Sequence, residues 1–265
     1  AEDGVALASI ITQYVSALLI LVHMGRQNDD CAFRLRDLKY GTDKSEIKHI
    51  LGLGIPAGLQ NAIFAIANLF IQSAVNSFDS VMVEGNSAAA NADAIIYNIM
   101  AAFYTACSTF MGQNLGAGKQ DRVLKSYFVG VTYSFFAGAV LGGALFLFGR
   151  EFLSLFANDE AVIQAGLQRT QIMSFSYAVS AFMDCTIAAC RGIGKSLAPT
   201  IIVIIGSCVF RVVWIYTVFA HFHTIPSLYL LYIFSWTITA VAEIVCFVIN
   251  YKKLTTKQNA AVSES

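Results

Sequence analysis

Three ionisable residues lie deep in apolar sequence: Asp184, Arg211 and Glu243. A charge at the middle of a membrane-crossing helix costs at least about 2.5 kcal/mol on insertion scales, so it is kept where it has a partner or a function. For Arg211 and Glu243 two readings stand open: an ion pair that holds helices in register, or members of a polar site. For Asp184 the rival to an ion pair is binding of a proton, Na⁺ or an organic cation.

Other residues suggest chemistry and then withdraw it. The stretch TFMGQNLGAGKQDR at 109–122 has a Gly-Lys pair. A phosphate loop needs G-x-x-x-x-G-K-[ST], whose backbone N–H groups wrap the phosphates. Aligning Gly118-Lys119 puts Gln113 at the first glycine and Gln120 at the hydroxyl position. An apolar segment precedes it where a buried strand should. The six cysteines (31, 107, 185, 190, 208 and 246) show no C-x-x-C pair and read as buried small hydrophobes rather than a disulfide framework or zinc site. His221 and His223 lack a nearby carboxylate or thiol in sequence, so they read as an external loop.

The elements that must position these residues follow from composition. Of 265 residues, 57% are hydrophobic and 13% charged, with mean hydropathy +0.63. Soluble domains carry about 25% charged residues, so the chain reads as an integral membrane protein with the lipid bilayer as its solvent. Seven stretches can span a bilayer as helices: Gly4–Met24, Leu51–Phe78, Ala88–Phe110, Ser126–Phe148, Thr170–Cys190, Ala198–Ala220 and Ser227–Asn250. None alternates apolar and polar, which excludes a β-barrel. Pro56, Pro199 and Pro226 fall near span starts, where a missing N–H costs little.

Basic residues set the orientation. Fourteen of the 17 Lys and Arg lie in alternate connections: Arg26, Arg34, Arg36, Lys39, Lys44, Lys48, then Lys119, Arg122, Lys125, then Arg191, Lys195, then Lys252, Lys253, Lys257. The opposite connections hold Arg150 and Arg169. The positive-inside rule puts the N-terminus outside and the C-terminus in the cytoplasm. Residues 25–50 then form a cytoplasmic loop ending in an interfacial helix near Ser45–Leu53, and 254–265 a frayed tail. Asp79, Glu84 and Asp93 fall in or beside an external connection and read as solvated.

Polar residues within spans mark the faces that turn inward. Asn61, Asn68, Gln72 and Asn76 fall within about 80° of one another on a helix. Asn98, Thr105 and Thr109 align on the next span, Tyr177, Ser180 and Asp184 on the fifth. Thr200, Ser207 and Arg211 align on the sixth, and Tyr232, Trp236, Thr239 and Glu243 on the seventh. Interhelical hydrogen bonding and a shared hydrated cavity both explain such stripes. The candidate ion- or substrate-binding set is Asp184, Asn61, Asn68, Gln72, Asn98, Tyr177, Arg211 and Glu243.

GQNLGAGKQDR at 112–122 resembles the cytoplasmic turn of the multidrug and toxic compound extrusion (MATE) family, Q-N-x-G-A-G followed by a basic residue. Gln113, Asn114, Gly116, Ala117, Gly118 and Arg122 carry the match. GVALASIITQ (4–13) is similar to the start of the family's sixth helix and GIPAGLQ (54–60) to that of its seventh. CRGIGKSLAPT (190–200) resembles the turn between its tenth and eleventh helices.

The resemblance implies an all-α integral membrane fold, a seven-helix fragment of a twelve-helix, two-lobe carrier. Residues 1–24 would be the last helix of the N-terminal lobe, 25–50 the inter-lobe loop, 51–253 the C-terminal six-helix lobe and 254–265 a tail. It implies a cation-coupled antiporter, driven by H⁺ or Na⁺, that exports drugs or organic cations by alternating access across the plasma membrane. The partners would be the N-terminal lobe and a small amphipathic or cationic substrate, with no cofactor beyond the coupling ion, no nucleic acid and no resident metal. The sodium-coupled branch carries an acid in helix seven, whereas Leu51–Phe78 has none. A seven-helix receptor or sensor is the alternative, but the last span lacks an internal proline and the third ends in MGQN. An intramembrane enzyme would need a buried Ser/His or paired-Asp centre, and all four His are peripheral.

Overall fold

The computed structural model describes residues 2–26 and 43–263. Its helices are α1 (Glu2–Arg26), α2 (Lys44–Val75), α3 (Ser80–Gly116), α4 (Gln120–Leu153), α5 (Glu160–Gly192), α6 (Leu197–Phe222) and α7 (Ile225–Ser263). All seven are long and apolar enough to cross a membrane, and no strand occurs among the described residues. The chain is a multi-pass membrane protein.

Boundaries differ from the hydropathy reading in three places. The expected interfacial helix is continuous with the second span, because Lys44–Val75 is one helix. Pro56 therefore lies inside α2 rather than in its first turn. A proline ring crowds the carbonyl four residues back; that residue is Gly52, with no side chain to add to the crowding. At the other end, α7 remains helical to Ser263 where a frayed tail was expected.

Two compact units divide at residues 51 and 52. The first contains α1, where the Thr12 hydroxyl returns to the Ala8 carbonyl at 2.7 Å, and the opening turns of α2. In the second, α5 is the central helix and packs against α3, α4 and α7. Glycines set how closely these helices approach. A Cβ on Gly142 would lie 2.2 Å from the Ser174 carbonyl oxygen, and one on Gly138 would lie 3.0 Å from that of Tyr177. The spacing Gly138-x-x-x-Gly142 is the small-residue pattern that lets membrane helices pack backbone to backbone. The outward faces keep large apolar side chains such as Leu69, Phe128, Leu147 and Phe175 exposed, as a bilayer solvent requires.

The two glycine turns close in the same way. Gly118 (φ 70°) and Gly194 (φ 75°) adopt the left-handed conformation. Lys119 N–H donates to Asn114 O and Gly118 N–H to Leu115 O; Lys195 N–H donates to Cys190 O and Gly194 N–H to Arg191 O. That pairing is the Schellman closure, which needs a residue tolerant of positive φ. The 109–122 stretch is thus a helix stop, not a phosphate cradle. The Tyr251 hydroxyl donates to the Gln120 carbonyl at 3.4 Å, so the α3–α4 turn and the basic end of α7 lie together.

α6 is irregular. Two π-turns, Ile204–Val209 and Ile215–Phe219, flank the short α-helical segment that carries Arg211. Such bulges collect at functional sites because they re-aim a side chain. Ser207 and Thr239 share a hydroxyl hydrogen bond of 2.9 Å that ties α6 to α7 beside this segment.

Candidate functional site

Arg211 enters the core between the two π-turns and is 2% exposed. Its Nε donates to Ser235 Oγ at 3.2 Å. Its guanidinium stands 4.6 Å from the Tyr232 ring centroid, 5.4 Å from Phe64 and 5.6 Å from Trp236. Aromatic faces attract a cation more strongly where water is excluded. Of the two readings left open for Arg211 and Glu243, the ion pair between them does not form; Arg211 turns to this aromatic box instead.

The box is one wall of a cleft of about 380 Å³. α2 contributes Phe64, Asn68 and Gln72; α3 contributes Asn86, Asp93, Tyr97 and Tyr104. α5 adds Arg169, Met173 and Asp184, α6 adds Arg211, and α7 adds Tyr232 and Trp236. Asp184 is half-buried there and forms no hydrogen bond with another described residue. Arg211 and then Arg191 are the cations that act on it electrostatically. The buried Tyr97 hydroxyl also lacks a hydrogen-bond partner among the described residues, with its ring edge-on to Tyr177 at 5.7 Å and to Trp236 at 6.0 Å. A carboxylate and a hydroxyl both without partners in one cleft are available to a ligand, since buried polar groups otherwise carry hydrogen bonds.

The cleft's outer wall overturns one expectation. Asp93, expected to be solvated, pairs with Arg169 and accepts the Tyr177 hydroxyl. Arg169, expected in an external connection, is 6% exposed. It also donates to the Asn86 carbonyl at 2.7 Å and lies 5.5 Å from the Tyr229 ring centroid. The physical reason is helix length: α3 starts at Ser80, so Asp93 lies about 20 Å along it. Asn86 completes the wall, its Oδ1 accepting from Tyr229 at 2.7 Å.

The candidate residues separate into three groups. Asn68, Gln72, Asp184 and Arg211 line the cleft. Tyr177 stands behind it, wholly buried, and reaches it through Asp93. Asn61 and Asn98 are exposed and lie outside the lining, while Glu243 is fully buried elsewhere. Gln72 donates to Asn76 at 2.9 Å, one turn along the same helix. Sequence reading missed Asp93, Arg169, Asn86 and Tyr97; an acid and an arginine of equal rarity near the same ends of neighbouring spans was the available signal. His223, read as a loop residue, is exposed yet packed, with its ring centroid 4.9 Å from that of Phe219 and Nε2 3.2 Å from Ser77 Oγ.

The MatE family model matches residues 56–217. A probable multidrug resistance protein, YoeA of Bacillus subtilis, is 24% identical over 200 residues, 75% of this chain and 43% of the relative. A probable multidrug resistance protein, NorM of Thermotoga maritima, is 24% identical over 205 residues, 76% of this chain and 43% of the relative. The chain thus spans less than half the length of these curated relatives. Among solved structures, a MOP superfamily transporter from Pyrococcus furiosus superposes with TM-score 0.84 at 19% identity, covering 94% of this chain and 56% of that one. An outward-facing multidrug resistance MATE family transporter gives TM-score 0.83 at 20% identity, with 95% and 56% covered. Likeness at that identity concerns the fold.

Proposed function

Because this chain belongs to the MatE family, we propose that it forms the C-terminal lobe of a carrier that exports drugs or organic cations by alternating access. Residues 51–253 form the lobe, 1–24 the last helix of the partner lobe, 25–50 the inter-lobe connection and 254–265 the tail. The greater length of the curated relatives supports a second lobe against which this one rocks. Family membership disfavours the receptor alternative and an enzyme alike.

The observation that carries the reading is the cleft with Asp184 in it. The carboxylate has no hydrogen-bond partner among the described residues, sits among aromatic rings and is within electrostatic reach of Arg211. A lipophilic cation would stack on Tyr97, Tyr104 or Trp236 and place its charge by Asp184. H⁺ or Na⁺ would compete for the same carboxylate, and that competition couples ion entry to cargo release. Asp93 already has two partners, so it braces the cleft instead of offering a free charge. The membrane is the plasma membrane, with residue 1 outside and the C-terminus cytoplasmic, as the distribution of Lys and Arg supports.

The test is efflux of a cationic dye from cells that express this lobe joined to its N-terminal partner. Dye export should cease when both the H⁺ and Na⁺ gradients are collapsed, and Asp184→Asn should abolish it while leaving membrane insertion at the wild-type level. Undiminished, gradient-dependent export by Asp184→Asn would remove Asp184 from the coupling site.

A further inference from the structure

A second polar cluster lies between α5 and α7, apart from the cleft. Cys190 stands near the C-terminal end of α5, and Glu243 and Cys246 stand three residues apart on one face of α7. Their two sulfurs and a carboxylate oxygen all lie within 4.8 Å of one another. Cys190 and Glu243 are fully buried and Cys246 is half-buried, which leaves one side of the cluster open. Neither carboxyl oxygen of Glu243 has a hydrogen-bond partner among the described residues. Arg191, the neighbouring cation, acts on Glu243 electrostatically but donates its Nη2 to Gln60 Oε1 at 3.0 Å and lies beyond ion-pair distance of the carboxyl group.

Packing accounts for one buried and one half-buried thiol. It does not account for a fully buried carboxylate with both oxygens unpaired, which is among the costliest arrangements in an apolar interior. A metal ion would satisfy all three groups at once. We propose that Cys190, Glu243 and Cys246 bind a thiophilic divalent cation of the zinc type, with water in the fourth position.

The dimensions fit. Tetrahedral zinc with bonds of about 2.3 Å to sulfur and about 2.1 Å to oxygen places ligand atoms about 3.5–3.8 Å apart. Side-chain rotation of about 1 Å closes the present spacing. Binding replaces all but one of the aqua ion's water ligands with two thiolates and one carboxylate, breaking the two S–H bonds and releasing those protons to water. Asn250 Nδ2 lies 3.3 Å from Cys246 Sγ and would hold that ligand in orientation. Two sulfurs select against Mg²⁺ and Ca²⁺, which take oxygen ligands.

The experiment titrates the purified full chain in detergent, kept reduced by a phosphine, with Cd²⁺, whose thiolate complexes absorb in the ultraviolet. One equivalent should saturate the charge-transfer band, and Zn²⁺ should displace it while Mg²⁺ does not. Cys190→Ser and Cys246→Ser should each weaken binding at least ten-fold and halve the band. Glu243→Gln should weaken binding about ten-fold with the band retained, and Cys208→Ala should match wild type. No saturable band, or an unchanged one in both serine variants, overturns the site. If the variants do not elute as monodisperse protein, maleimide labelling of wild type read by mass spectrometry decides. Zn²⁺ should protect Cys246, the half-buried thiol of the cluster, and EDTA should restore its labelling; absence of that protection overturns the proposal.

Discussion

Replacing Asp93 by Leu strands two groups at once. Arg169, with a side chain 7% exposed, loses its carboxylate, and the buried Tyr177 hydroxyl loses its acceptor. Removing one member of a buried ion pair costs about 3–5 kcal/mol, because the other charge stays in the interior. Asp93 is itself 15% exposed at the cleft wall, where water reaches it, so the lower end, about 3 kcal/mol, applies. For a unit of this size each kcal/mol is about 2–4 °C in melting temperature, which gives a drop of about 6–12 °C. Fluorescence-detected size-exclusion after heating in detergent reads this shift directly. The double variant Asp93→Leu/Arg169→Met removes the stranded cation and should melt above Asp93→Leu alone. A single variant within about 2 °C of wild type, or a double variant less stable than the single, would refute a structural ion pair at this wall.

Two further outcomes follow from geometry. Gly142→Ala forces a Cβ to within 2.2 Å of the Ser174 backbone oxygen, so α4 must move off α5; destabilisation of about 1–3 kcal/mol is expected, and Gly143→Ala, with open space around it, should melt like wild type. In a chain freed of native cysteines, a single cysteine at Gln120 should react with an impermeant maleimide only after permeabilisation, and one at Asn158 should react from outside; external labelling at Gln120 would invert the orientation.

Much of the fold was legible because a bilayer imposes one rule on every segment: hydropathy over about 20 residues reveals a span whatever its neighbours do. The glycine turns at Gly118 and Gly194 were legible for a local reason, since positive φ restricts residue choice. Asp93 and Arg169 were not, because hydropathy fades near span ends while the helices continue. α3 begins at Ser80 and α5 at Glu160, eight and ten residues before their apolar stretches, so Asp93 and Arg169 lie well within helices rather than at their ends. The π-turns around Arg211 have no local signature in the sequence; the first contains Gly206, where a Cβ would lie 2.6 Å from Thr239 Oγ1 on α7. Helical stripes placed Asn68, Gln72, Asp184 and Arg211 on inward faces. The same arithmetic gave no sign that Asn61 stands beyond the cleft, nor that Asn98 lies about 100–140° round α3 from the cleft-lining Asp93, Tyr97 and Tyr104. Cys190 and the Glu243-x-x-Cys246 pair come from helices distant in sequence, which conceals their proximity.

The most direct test of the central claim is the affinity of the lobe-containing carrier for tetraphenylphosphonium, a lipophilic cation, measured by calorimetry. Loss of a cation's carboxylate partner in a cleft costs about 1.4 kcal/mol or more, which is ten-fold in Kd. Asp184→Asn should therefore weaken binding at least ten-fold, whereas Asn61→Ala and Asn98→Ala, outside the cleft, should bind as wild type. Wild-type affinity in Asp184→Asn together with a loss in Asn98→Ala would contradict the assignment of this cleft as the cation site.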